Sequence, residues 1–192
     1  MLIKSPAEKE DPRITRTRQL ILDAFMDGLH EKSFQKLTVR NITENAGINR
    51  GTFYSHFPDK YALLDFTIQQ AFIQELDKRV LGTSHFSEKN LHELVVLICD
   101  FVANSYGRCV QPEQQFESLV EAQVKKQTQE LLQKWLEQAG GNFDPIAAAT
   151  ATSWAIYGLV MQWYRDKRKK KVSANQFADQ VLPLIMPKID YA

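Results

Sequence analysis

The residues best equipped for chemistry lie between Thr38 and Lys60, where the chain reads TVRNITENAGINRGTFYSHFPDK. Asn49, Arg50, Thr52, Tyr54, Ser55 and His56 crowd hydrogen-bonding side chains into one short stretch, with only Gly51 and the ring of Phe53 between them. A short helix so rich in donors and acceptors makes sense when its polar face meets something polar. The DNA major groove, about 12 Å wide, admits one such helix and offers base edges to its N-terminal side chains. Phe53 and Phe57 read as packing residues on the opposite side.

Other chemistries find no support. The four histidines, His30, His56, His85 and His92, lack metal-ligand spacing, and neither a nucleotide-binding glycine loop nor a H-E-x-x-H helix is present. No enzyme, cofactor or metal is expected. Cys99 and Cys109 are too few for a disulfide framework or a zinc site, which fits a reducing, cytoplasmic setting. No apolar run approaches the roughly 18 residues of a membrane span. The leading MLIKSPAEKEDPR lacks the apolar core of a signal peptide, so no membrane partner is expected. Net charge is nearly silent at +1, and the surplus of cations over acids between residues 13 and 60 is too small to reveal a nucleic-acid binder. The case rests on arrangement.

The elements that position these residues read as helices throughout, because apolar residues recur at three- and four-residue steps over all 192 positions. The fold class is therefore all-α, with about nine helices. A flexible arm occupies residues 1–12. Helix one runs from Thr15 to Lys32 and buries Leu20, Ile21, Ala24, Phe25 and Leu29. Thr38 caps the second helix and Gly47 stops it in the left-handed conformation. Asn49 caps the third, Arg50 to Phe57, and the fourth runs from Lys60 to about Leu81 as a connector. Ala46 and Ile48 keep the second and third helices close, a helix-turn-helix. Past Gly82 come longer amphipathic segments: Ser87 to Tyr106; a region opening at Pro112 and reaching Gln138, split near Leu119 to Gln123; Pro145, capped by Asp144, to about Lys170; and Ala174 to Ile185. A DNA-binding domain at 13–60 thus precedes a larger regulatory and dimerisation domain at 83–192.

At these residues the chain resembles the TetR family of transcriptional repressors. The resemblance is carried by Leu37-Thr38, Ile42, Ala46-Gly47-Ile48, Thr52-Phe53-Tyr54, His56-Phe57, Lys60 and Leu63-Leu64, and it covers about residues 15 to 66. It implies that Thr38, Val39 and Arg40 meet the phosphate backbone, with Arg40 close to a base. Asn49, Arg50 and Gly51 enter the groove, and Arg50 is the candidate for bidentate contact with guanine. Thr52, Tyr54, Ser55 and His56 hold phosphates and flanking base edges, and Lys60 reaches another phosphate. Arg50 and His56 have plainer alternatives, a surface charge and a helix-end cap, while Gly51, which weakens a helix interior by about 1 kcal/mol, is explained by close approach of the backbone to DNA. Arg13, Arg16 and Arg18 resemble the family's N-terminal arm, or are simply solvated charges.

The resemblance also implies a homodimer on a palindromic double-stranded operator, released by a small-molecule effector. The segment from Ile146 to Tyr164 is apolar nearly all round. Ala147, Ala151, Ala155 and Gly158 permit close helix approach, while Ile156, Leu159, Val160 and Trp163, with Phe177, Val181, Leu184 and Ile185 of the last helix, supply bulk for a dimer interface or for the interior of one chain. Cys99, Val102, Tyr106, Phe116, Trp135, Trp154 and Tyr157 are candidates to line an effector pocket, or plain core. Glu117 and Glu121 are placed to neutralise a cationic ligand stacked on aromatic faces, or are solvated. The basic run Arg165 to Lys171 reads as a solvated helix end. A protein-binding co-regulator on the same fold and a ligand-independent regulator are the rival readings.

Overall fold

The computed structural model describes residues 11–80, 85–108, 114–166 and 172–186. The expected arm over residues 1–10, the break at Gly82, the opening at Pro112 and the basic residues 167–171 lie outside them. Among the described residues the regular elements are all α-helical: α1 (Pro12–Glu31), α2 (Val39–Ala46), α3 (Arg50–His56), α4 (Lys60–Arg79), α5 (Glu88–Arg108), α6 (Gln114–Ala139), α7 (Pro145–Arg165) and α8 (Ala174–Ile185).

Local chemistry explains most of the boundaries. Asp11 accepts a 2.9 Å hydrogen bond from the Arg13 amide, and Pro12 fills the first helical position, where a missing N–H costs nothing. So α1 starts three residues before the expected Thr15, and Arg13, Arg16 and Arg18 are helical. Pro12 belongs to the helix and not to an arm. The same Asp-Pro device starts α7, where Asp144 accepts from the Ile146 amide at 3.0 Å. Thr38 and Asn41 form a reciprocal capping box at the head of α2, and Gly47 ends it with φ of 66°.

Two expectations fail. The segment expected to split near Leu119 to Gln123 is one helix of 26 residues, because no glycine or proline interrupts the hydrogen-bond ladder between Gln114 and Ala139. The described residues therefore carry eight helices instead of about nine. In addition α7 stops at Arg165, short of Lys170, while α8 has the expected limits.

The chain divides into two compact units, Met1–Ile68 with Tyr106–Leu119, and Gln69–Ser105 with Val120–Ala192. In the first, Ile21, Phe25, Leu37, Ile42, Phe53, Leu63 and Leu64 are fully buried. Each such side chain contributes about 1.5–3 kcal/mol through removal from water. Phe25 meets Phe34 edge-on with ring centres 6.2 Å apart, which ties α1 to the turn before α2. In the second unit Phe72, Leu76, Leu91, Leu94 and Leu97 form the equivalent core. There α5 is tied to α4 by the Arg79–Asp100 pair at 2.6 Å and to α8 by His92 and Asp179 at 3.1 Å.

Candidate nucleic-acid interface

Helix α3 divides sharply by side. Phe53 has no exposure and Phe57, its C-cap, is also buried, with ring centres 6.1 Å apart. These anchors fix which face points out. Arg50, Gly51 and Ser55 are exposed and Tyr54 is 54% exposed, its ring edge-on to Phe53 at 5.5 Å. Thr52 and His56 are half-buried, the imidazole tilted against Phe57.

Several of the polar groups already serve the fold. Asn49 caps α3, its carboxamide oxygen accepting from the Thr52 amide at 2.8 Å and the Thr52 hydroxyl at 3.1 Å. The Ser55 hydroxyl donates to the Thr52 carbonyl at 2.7 Å. Thr38 caps α2 by accepting from the Asn41 amide at 3.1 Å. Val39 beside it is half-buried. Arg40 is exposed and paired with Glu44 at 2.7 Å, a hydrogen bond that raises the guanidinium above its ordinary pKa. An exposed pair of this kind is weak and opens at little cost to another anion. Gly51 has an internal reason: a Cβ there would stand 3.2 Å from the Asn49 Oδ1, so the missing side chain leaves room for the cap. Arg13 and Arg16 are exposed on α1, whereas Arg18 holds its guanidinium 5.6 Å from the centre of the Phe66 ring.

Lys60 departs from expectation. Its ammonium donates to the carbonyls of Phe34, Gln35 and Leu37 at 2.8, 3.1 and 2.9 Å and lies 4.5 Å from the Phe34 ring centre. An ammonium has three donors, and these three carbonyls use them. Lys60 thus clamps the turn before α2 instead of pointing out beside α3. The carbonyls at the end of a helical turn lack intrahelical partners and attract a cation, which is the physical reason it turns inward. Sequence reasoning also missed two supports of this turn. Gly28 gives Leu37 its place, since a Cβ there would stand 2.6 Å from the Leu37 Cδ1, and Asp59 caps α4 by accepting from the Tyr61 and Ala62 amides at 2.8 Å each. A glycine inside the apolar stripe of α1 was the available signal for the first.

The remaining candidates separate by unit. Tyr106 and Phe116 pack edge-on, 6.0 Å between ring centres, in the unit that holds α3. Cys99, Val102, Trp135 and Tyr157 are buried in the second unit, and burial pushes the Cys99 thiol up to about 12. Trp154 is 59% exposed, unlike the other aromatic candidates; Lys125 lies 4.5 Å from its ring centre and 5.4 Å from that of Tyr157. Glu121 pairs with that same Lys125, so both the carboxylate and the aromatic faces offered to a cationic ligand have an internal cation. Of the residues expected to join two chains, Ile156, Val160, Phe177, Val181 and Ile185 are buried within one chain, because α7 and α8 turn these sides inward. Trp163 is half-buried, 5.6 Å from the Phe177 ring, and Leu159 is half-buried, whereas Leu184 is 74% exposed.

Residues 21–65 match the profile of the bacterial regulatory proteins, tetR family. That match runs from within α1 to the start of α4 and takes in α2 and α3 whole. The chain is 32% identical over 107 residues to the uncharacterized HTH-type transcriptional regulator YxbF of Bacillus subtilis, a match that takes in 52% of the chain and 28% of that protein. So the match spans well under a third of that relative's length. It is 23% identical over 205 residues to the probable acrEF/envCD operon repressor of Escherichia coli, covering 94% of the chain and 92% of the repressor. In fold it is similar to the transcriptional regulator FadR of Bacillus subtilis in complex with stearoyl-CoA, with a TM-score of 0.60 at 17% identity over 89% of this chain and 98% of that one. The likeness thus rests on the helix-turn-helix of α2 and α3 and on the helical fold.

Proposed function

We propose that the chain acts as a homodimeric, non-enzymatic repressor in the cytoplasm, binding a near-palindromic operator through α3 and released by a small-molecule effector. The observation that carries the reading is the outward polar face of α3, with Arg50, Tyr54 and Ser55 exposed above buried Phe53 and Phe57. On this reading Arg50 chooses the base. Thr38, Arg40, Asn49, Thr52, Tyr54, Ser55 and His56 hold the backbone and flanking edges, with Val39 and Gly51 allowing close approach. Residues 13–60 form the reading head, α4 the connection, and residues 83–192 the regulatory and pairing part.

One helix-turn-helix reads few base pairs, so useful specificity wants two copies. The outer face of α7 supports pairing: Ala147, Ala151, Ala155 and Gly158 are exposed beside Trp154, with Leu184 exposed on α8. Nothing stands within 4 Å of where a Gly158 Cβ would be. Relatives named as an operon repressor and as a regulator with a bound acyl-CoA support the repressor and effector parts. The test is selection of bound sequences from random duplex DNA by the full chain. Recovery of a motif with two-fold symmetry is the expected result. Enrichment no greater than that of the starting pool overturns the reading.

A further inference from the structure

Inside the second unit, two neighbouring side chains of α6 are polar without return. Gln127 is 2% and Thr128 1% exposed, and neither the Gln127 Oε1 nor the Thr128 Oγ1 has a hydrogen-bond partner in the protein. Valine has the shape of threonine, and leucine or methionine nearly the bulk of glutamine. A helix needing only core here would lose nothing by apolar residues and would avoid desolvating two oxygens for no bond. Two other buried polar side chains of the chain do have partners: Asn90 donates to the His85 carbonyl at 2.8 Å and Ser153 to the Thr150 carbonyl at 3.0 Å. The turns of α6 on either side bury Val124, Leu131 and Leu132, with Gln123 the other buried polar side chain of the helix.

We propose that Gln127 and Thr128 form the polar recognition point of the effector site, and that the effector is a neutral, largely apolar molecule presenting a hydroxyl or amide donor. This rests on the effector-released reading above and names the ligand class. A carboxamide oxygen accepts, and a threonine hydroxyl both donates and accepts, so either can take a ligand hydroxyl or amide donor. Charge argues the same way. Among the described residues the buried polar side chains, such as Asn90, Gln123, Thr152 and Ser153, carry no formal charge, so an ionised ligand would enter the unit unpaired. The nearby carboxylate of Glu121 and the faces of Trp154 and Tyr157 are engaged by Lys125, which removes the means of holding a cation.

The experiment uses the full chain, Thr128→Val and Gln127→Met, with benzyl alcohol, toluene, benzoate and benzylammonium as probes of one size and four chemistries. Without ligand, each substitution raises the unfolding midpoint by about 2–4 °C, since it removes an unsatisfied buried atom. Calorimetry shows the alcohol binding wild type, the other three probes binding at least tenfold more weakly, and each variant losing about tenfold for the alcohol. Lowered midpoints in both variants would mean that the oxygens are satisfied structurally, by water for instance, and overturn the proposal. Equal binding of toluene or either ion, no binding of the alcohol, or unchanged affinity in the variants overturns it as well. Operator binding by the ligand-free protein is measured separately, so a failure here leaves the DNA reading standing, and loss of operator binding is scored against that reading alone.

Discussion

The ammonium nitrogen of Lys60 sits 2.9 Å from the carbonyl oxygen of Leu37, the residue immediately before the cap that starts α2. The first residue of α4 thus holds the backbone that aims the helix-turn-helix, together with the carbonyls of Phe34 and Gln35. Replacing Lys60 by methionine keeps the stem and removes the donors. The expected result is a loss of about 2 kcal/mol in urea unfolding, since hydrogen bonds to a charged group contribute more than neutral ones. DNA affinity falls with it, but the slope of log affinity against log salt stays the same. A slope smaller by about one unit would return Lys60 to the phosphate backbone.

Arg50 separates reading from folding. Its side chain is exposed on α3, so Arg50→Ala changes unfolding free energy by less than about 0.5 kcal/mol. Discrimination at one operator position drops by about 1–3 kcal/mol, measured by competition between single-base operator variants. An unaltered ranking of those variants would place base reading on another residue.

Asn49 has a cap to lose and a charge to gain. Asn49→Ala costs about 1 kcal/mol of stability by freeing the Thr52 amide. Asn49→Asp keeps the cap, because aspartate serves there as well as asparagine, yet sets a negative charge at the mouth of α3. Native stability with DNA binding reduced at least tenfold is the expected outcome for the aspartate variant. Retained binding would take Asn49 out of the contact surface.

The outer face of α7 offers a direct test of pairing. Gly158 is exposed with open space beyond it, so Gly158→Arg adds a bulky cation without disturbing its own chain, and arginine is the better helix former by about 0.8 kcal/mol. Sedimentation of the variant at micromolar concentration gives one chain per particle where wild type gives two, with helical content unchanged. An intact pair would move the interface off this face.

Cys99 reports on the interior of the second unit. Burial, aided by the charge of Asp100, lifts its thiol from 9.0 to about 12, so the folded state favours the protonated form. The stability tied to that proton is complete below pH 9, where the unfolded thiol is also protonated, and is lost as pH rises from about 9 towards 12. Wild type therefore loses more unfolding free energy than Cys99→Ala between pH 9 and 11. In a Cys109→Ser background, iodoacetamide at pH 8 leaves the folded protein unmodified and labels it in urea. Equal pH slopes, or ready labelling of the folded chain, would show Cys99 to be solvent-accessible.

Much of the first unit was legible because its signals are local. Thr38, Gly47 and Asn49 act on backbone groups within three or four residues, and the Asp144-Pro145 start of α7 is of the same kind. Asp11-Pro12 carried that signal too, and was passed over because the residues before it read as an arm. The α6 segment carries no glycine or proline between Gln114 and Ala139, so nothing local breaks it.

By itself the sequence determined the all-helical class, the caps at Thr38, Asn49 and Asp144, the αL turn at Gly47 and the resemblance to the TetR family, since each depends on residues close along the chain. Only the tertiary structure decided that Lys60 turns inward to Phe34, Gln35 and Leu37, that Trp154 lies on the surface while Ile156 and Val160 do not, and that Gln127 and Thr128 are buried. An amphipathic pattern states that a face is buried, not which surface buries it. For a helix as apolar as α7, or a long cation within reach of both solvent and carbonyls, the choice is made by groups more than twenty residues away.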